Sequence, residues 1–343
     1  QVHCNGRLNM RNRAESNGIV PLWMYFLLFV LALVVLPWVG AEPIDWSRAL
    51  AHLRDGVQTA HGQILFRQRI PRVVLAVLVG GALSLTGAAL QVLFRNPLAE
   101  PWTLGVAGGA AIGAFASQAF SPLQASLGPL SSTQGLALLG AAGAMGIVWI
   151  FAGRAGAMTT HTLLLAGVTI SIVSGGIIML MIYFVSPFKF VTFHRWMMGG
   201  LDVIGYRELW SMLLMAVPGL LLLCFMAREY NHLAFSDDIA LGQGVDVVRV
   251  QRFTFLGAGL TTAACVAVAG PIGFVGMIDP HAVRRLTGFD YRLVLPCSFF
   301  LGGTVLAVCD GIARTVIAPT EIPVGVITAV IGGPVFLFLL GKR

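Results

Sequence analysis

Ten continuous apolar runs divide the chain, at about residues 19–41, 73–93, 103–120, 133–153, 161–187, 208–226, 253–270, 272–283, 293–313 and 322–340. Most approach the ~20 residues that a helix needs to cross the hydrocarbon core of a bilayer. The runs do not alternate apolar with polar positions, as the strands of a transmembrane barrel would. The pattern predicts an all-α polytopic membrane protein of about ten transmembrane helices, with both ends on one side. The first run is much longer than the apolar core of a signal peptide, so it reads as a membrane helix. Residues 1–18 are then a cytoplasmic N-terminal segment, and residues 19–343 a single transmembrane domain.

Two polar intervals are long enough to carry structure. In residues 42–72, Trp46, Leu50 and Leu53 recur at helical spacing and predict a short surface helix. The interval of about 228–252 contains Asp237-Asp238-Ile239-Ala240 and then Gly244, which reads as a short helix with acids in its first turn, closed by a glycine break. Within the runs, Gly80, Ser84 and Ala88 fall four apart, as do Gly105, Gly109 and Gly113, and Gly303, Ala307 and Gly311. Small residues at that spacing let helix backbones approach closely in lipid.

Composition agrees. Hydrophobic residues make up 57% and charged residues 11%, with a mean hydropathy of +0.84, against roughly 25% charged in a soluble domain. The net charge of +7 comes from basic residues between the runs, with no basic tract interleaved with aromatics, so nucleic acid is not an expected partner and the lipid bilayer is. Of the 22 Lys and Arg residues, thirteen fall on the side assigned as cytoplasmic and nine on the other. The sign obeys the positive-inside rule, but Arg67, Arg69 and Arg72 crowd the wrong side. The five cysteines include no Cys-x-x-Cys pair and read as small buried hydrophobes.

No catalytic motif is present. The chain lacks a Gly-x-x-x-x-Gly-Lys-Ser/Thr loop and would not hydrolyse ATP itself. It lacks His-Glu-x-x-His, and its histidines are scattered, so no metal site is expected. The unusual stretch is Gly270 to His281, with three glycines, two prolines and Asp279 inside an apolar run. Pro280 frees the carbonyl of Gly276. An ionisable residue at membrane depth is a functional candidate, and Asp279 with Asp310 would suit a proton-coupled secondary transporter. Asp279 and His281 are two apart and face different ways on a helix, which argues against a local metal site.

Several stretches carry a resemblance. They are Arg69-Ile70-Pro71-Arg72, Gly87-Ala88-Ala89-Leu90-Gln91, Arg95-Asn96-Pro97-Leu98-Ala99-Glu100-Pro101, Trp196-Met197-Met198-Gly199-Gly200, Gly270 to His281, Asp310 to Arg314, and Glu321-Ile322-Pro323-Val324-Gly325. In this order the chain strongly resembles the FecCD-type permeases of ABC importers for vitamin B12, haem and ferric siderophores. The resemblance implies a type II importer permease fold in the cytoplasmic membrane of a prokaryote, with both termini cytoplasmic. It implies a homodimer, two ATP-binding-cassette ATPase subunits that carry the ATP and Mg, and a periplasmic or lipid-anchored binding protein. No cofactor bound to this chain is implied. Arg69, Arg72 and Arg314 match positions where family members receive acidic residues of the binding protein. Asp237, Asp238 and Gly244 match the segment that couples to the ATPase, where Gly242 departs from the usual alanine-rich pattern and is expected to loosen the helix by about 1 kcal/mol. Asn96, Pro97, Met197, Met198 and Asp279 are candidates for the translocation path or its gates. Asp279 replaces a usually apolar residue and is expected to find an arginine, a backbone donor or water.

Overall fold

Helix ends fall where the sequence supplies caps and breaks. In a computed structural model, which describes residues 20–49, 59–119, 131–154 and 160–341, every regular element is helical. The first helix is α1, Leu22–Val35, followed by α2, Ile70–Leu93; α3, Val106–Ala119; α4, Ser132–Arg154; α5, Thr160–Tyr183; and α6, Pro187–Met197. Then come α7, Arg207–Phe225; α8, Ala227–Leu233; α9, Asp237–Gly242; α10, Val247–Ala269; α11, Val275–Thr287; α12, Tyr291–Thr315; and α13, Val324–Gly341. Among the described residues six helical segments are long and apolar enough to span a membrane, and Leu22–Trp38, Val106–Ala119 and Val324–Phe338 are shorter apolar helices. With α11 these match the ten runs in order. Residues 1–18, Leu50 and Leu53 lie outside the described residues.

Two helices begin differently from the hydropathy reading. The helix ending at Leu93 starts at Ala60 rather than near 73 and passes through a π-turn at Ile64–Arg69. Pro71 explains how this is tolerated. Its missing N–H orphans the carbonyl of Arg67, which instead accepts from the backbone N–H of Gly205 at 2.7 Å. The run at 272–283 divides at its start: Gly270, with φ +66°, ends α10, residues 270–273 are non-helical, and α11 begins only at Val275.

The core is built by close backbone approach. α2 is buried along most of its length and packs on α12, where a Cβ on Gly80 would strike the carbonyl of Gly302. Gly109 and Gly113 bring α3 equally close to Gly140 and Leu136 of α4. Gly105 does not belong to that stripe; it sits before α3 with φ +72° and packs against α5. Cys265, Cys297 and Cys309 are free and buried, and Cys224 is free and exposed.

The bundle has two ends. α2 runs from an end that carries Arg72 to an end that carries α8 and α9. The backbone N–H of Val20, before α1, bonds the carbonyl of Leu286 near the foot of α11, and α13 starts beside Gly199 at the Arg72 end and returns. α1 therefore begins, and α13 finishes, at the α9 end.

At that end, α8 is tied to α12. Asn231 donates through Nδ2 to Asp290 Oδ1 at 2.8 Å and accepts from the Tyr291 N–H at 2.8 Å. The Asn231 hydrogen bond, with the Arg292 N–H that Asp290 also caps, holds the Asp290 carboxyl below the ordinary carboxylate range. Because the folded value is depressed, this contribution is fully present above the unfolded pKa of about 3.9 and is lost as pH falls through the folded value. Solvent screening keeps it under about 1 kcal/mol. Thermal melts of Asp290→Asn and unaltered protein should differ above about pH 4 and converge well below it; a gap that does not change with pH removes this account.

Candidate translocation and coupling site

The break at Gly270 to Phe274 is held from three sides. Phe274 caps α11 with φ +70°, unusual for a residue with a side chain, and its N–H donates to Glu100 Oε2 at 3.3 Å. Pro101 packs on Gly276, and a Cβ on Gly87 of α2 would overlap the Gly276 carbonyl. Pro280 leaves the carbonyls one turn behind it short of donors. Gln91, one turn beyond Gly87 on α2, donates through Nε2 to Met277 O at 3.0 Å and Gly276 O at 3.4 Å, and its Oε1 accepts from Arg284 Nη2. The motifs at 87–91, 95–101 and 270–281 thus clasp one another. The orphaned Gly276 carbonyl was predictable from Pro280. Its partner was not, although a lone glutamine in an apolar helix, four residues after a glycine, was the available signal.

Asp279 is 3% exposed and Oδ2 has no hydrogen-bond partner among the described residues. It lines a cavity of about 200 Å³ with Phe274, Val305, Cys309, Thr328 and Ile331. Of the partners expected for it, no arginine pairs with Asp279 among the described residues, and Arg284 reaches Gln91 instead.

Arg69, Arg72 and Arg314 come together at one end, but as an internal cluster rather than an exposed patch. Arg69 is buried and donates to the carbonyls of Trp38 and Glu42. Arg72 Nε bonds Asp310 Oδ1 at 2.9 Å, and its Nη1 meets Glu321 at 2.6 Å and Asp202 at 3.3 Å. Arg314 Nε reaches Asp310 Oδ2 at 3.0 Å, while its two Nη atoms are buried without partners among the described residues. Arg195 completes the chain through Asp202 at 3.3 Å. Three carboxylates thus balance Arg72, Arg195 and Arg314.

At the other end, Ser236 caps α9 by accepting from the Ile239 N–H at 3.0 Å. Asp237 and Asp238 occupy the first turn, as read from sequence, and Gly244 has φ +81°. Gly242 is the last residue of the helix, with open space around it, so the interior penalty expected of it largely does not apply. Ala240 is buried, whereas Phe235, Ile239 and Leu241 are exposed. Arg95, itself at φ +46°, pairs with Asp237 and donates to Leu233 O at 3.3 Å, so the end of α2 grips α9 directly.

The path candidates do not form one site. Asn96 closes the turn after α2, accepting through Oδ1 from the Leu98 N–H at 2.9 Å, and Pro97 follows it at the α9 end. Met197 and Met198 lie at the opposite end, where Gly325 packs on the Met198 carbonyl. Asp279 lies between them. Among the described residues no cluster of three or more His, Cys, Asp or Glu could hold a metal.

The chain is similar to known proteins in sequence and in fold. The FecCD transport family matches residues 26–342. The cobalamin import permease BtuC of Halobacterium salinarum is 39% identical over 90% of this chain and 80% of its own length. The vitamin B12 import permease BtuC of Escherichia coli is 34% identical over 98% and 99% of the two chains, and the Fe(3+) dicitrate permease FecC of Escherichia coli is 32% identical over 92% and 96%. A solved inward-facing metal-chelate type ABC transporter superposes with a TM-score of 0.83 at 27% identity, covering 94% of this chain and 99% of that one.

Proposed function

Since the chain belongs to the FecCD transport family, and is thereby the permease subunit of an ABC importer for cobalamin or an iron chelate, we propose that two copies form the pathway between them. ATP is used by partner ATPase subunits, not by this chain. The secondary-transport reading built on Asp279 and Asp310 falls with the family assignment, and Asp310 is committed to Arg72 and Arg314.

The α9 end is proposed as cytoplasmic and as the ATPase contact, with the coupling loop at about 228–252. The observation that carries this is the exposure of three apolar side chains, Phe235 just before α9 and Ile239 and Leu241 on it, at a helix that Arg95 clamps. ATP-driven movement of α9 would then act directly on the turn at Asn96 and Pro97, which would close the inner gate. Met197 and Met198 would border the outer mouth, with Asp279 along the way. Ile239→Asp with Leu241→Asp should weaken co-purification with the cognate ATPase at least about tenfold, the scale of losing an interface anchor. Undiminished complex formation would move the ATPase off this helix.

The Arg72 end is proposed to receive a periplasmic or lipid-anchored binding protein. Arg69, Arg72 and Arg314 keep their expected part through exchange: acidic residues of the binding protein would compete with the half-exposed Asp202 and Glu321 for Arg72. Asp202→Asn with Glu321→Gln frees Arg72 Nη1, while Nε stays on Asp310, and should tighten docking by about fivefold, the worth of one or two surface ion pairs. Weaker docking would mean that those acids themselves face the partner.

A further inference from the structure

Bordering the proposed coupling loop, whose last residues Asp246, Val248, Arg249 and Arg252 line it, α4 and α10 leave a groove of about 620 Å³ toward the α9 end, where α10 begins and α4 finishes. We propose that it holds an anionic phospholipid, with the headgroup phosphate between Arg249 and Arg252 and an acyl chain along the two helices.

The shape follows from small residues. Ala142 and Gly146, one turn apart on α4, form the floor, and nothing lies within 4 Å of where a Cβ would stand on Gly146. Trp149 and Phe253 form aromatic walls. The adjoining surface of α4 is apolar and outward-facing, with Ile150 51% and Phe151 62% exposed, so hydrocarbon reaches the groove from the side. A soluble anion would leave that apolar part unused.

The charge is placed for a phosphate. The Arg252 guanidinium lies 5.9 Å from the Trp149 ring centroid, and that of Arg249 lies 5.6 Å from Phe253. Stacking on a ring fixes a guanidinium plane while leaving its N–H edge for oxygen acceptors. Neither arginine is in an ion pair among the described residues. Among the described residues the one carboxylate at the rim, Asp246, caps α10 by accepting from the Arg249 N–H at 3.0 Å, so the lining stays net positive. The N-terminus of α10 adds its dipole at the same place. Basic pockets between membrane helices near the bilayer surface favour anionic headgroups.

The test uses the full chain in nanodiscs containing phosphatidylglycerol or phosphatidylcholine with brominated acyl chains, which quench nearby indoles. The Trp149 signal is isolated by subtracting Trp149→Phe. At equal mole fraction the anionic lipid should quench Trp149 at least about twofold more strongly. The difference should vanish in Arg249→Gln with Arg252→Gln. Gly146→Leu, which fills the floor and leaves both arginines, should reduce quenching by either lipid. Equal quenching by the two lipids in the unaltered protein, or a preference that survives the double substitution, overturns the proposal. So does loss of the preference in millimolar inorganic phosphate, which would make the groove a soluble-anion site. Loss of quenching on adding the ATPase partner would assign the groove to that protein instead.

Discussion

Gly87→Val should leave almost no folded protein in the membrane. The α2 and α11 backbones touch at Gly87 and Gly276, and a Cβ there would overlap a carbonyl that belongs to backbone, not to a side chain able to rotate away. Separating the helices would also pull Gln91 from the carbonyls of Gly276 and Met277. Ordinary overpacking costs about 1–3 kcal/mol, and stranding buried polar groups adds about 1–3 kcal/mol each. The sum rivals the whole stability of a typical domain. The measurement is the yield of monodisperse protein in mild detergent, followed by thermal unfolding. Gly143→Ala is the control, because nothing lies within 4 Å of a Cβ there. It should be neutral or slightly stabilising. A well-folded Gly87→Val protein would mean that the two helices are not in backbone contact.

The second large effect is expected at Asp310. Its carboxylate is fully buried and joins Arg72 to Arg314. Asp310→Ala would leave two buried guanidinium groups facing each other without their shared counter-ion, and breaking a buried pair in this way costs about 3–5 kcal/mol. Removing a cation as well should recover part of that loss. In Asp310→Ala with Arg314→Leu, Arg72 retains Glu321 and Asp202, and the remaining charges are closer to balance. The double variant should therefore melt above the single one, with a coupling energy of at least about 1 kcal/mol in the cycle. Additive losses would show that the cluster does not behave as a charge-balanced unit.

Much of this was legible in the sequence. The ten runs anticipate the helices, the small-residue stripes of α2 and α3 mark close contacts, and Asp237, Asp238 and Gly244 outline α9. Local signals sufficed for these. What escaped depends on partners far away in the chain. Gln91 lies 185 residues from Gly276, and Arg72 lies 238 from Asp310. Counting charges by side therefore left the crowding of Arg67, Arg69 and Arg72 without a cause, where the fold gives Arg72 three carboxylate partners from distant parts of the chain. One clue was present: Asp310 and Arg314 are four apart, the spacing of neighbours on a helix. The early start of the helix before α2 was hidden because Pro71 usually marks a helix beginning, and only the distant N–H of Gly205 makes the continuation tolerable.

The clasp of α2 on α11 also has a mechanical side. α11 is a short rod with a swivel at each tip: Gly270 at φ +66° precedes it and Gly288 at φ +94° follows it. It is riveted to α2 over its first turn, where Gly87 meets Gly276 and Gln91 meets Met277. A tilt applied at the Arg284 tip would be absorbed by the swivels rather than by bending the rod, and the rivet would hand the remainder to α2. That helix ends in Arg72 on the far side of the membrane, so α2 is the stiff member through which a push on one face would be felt at the other.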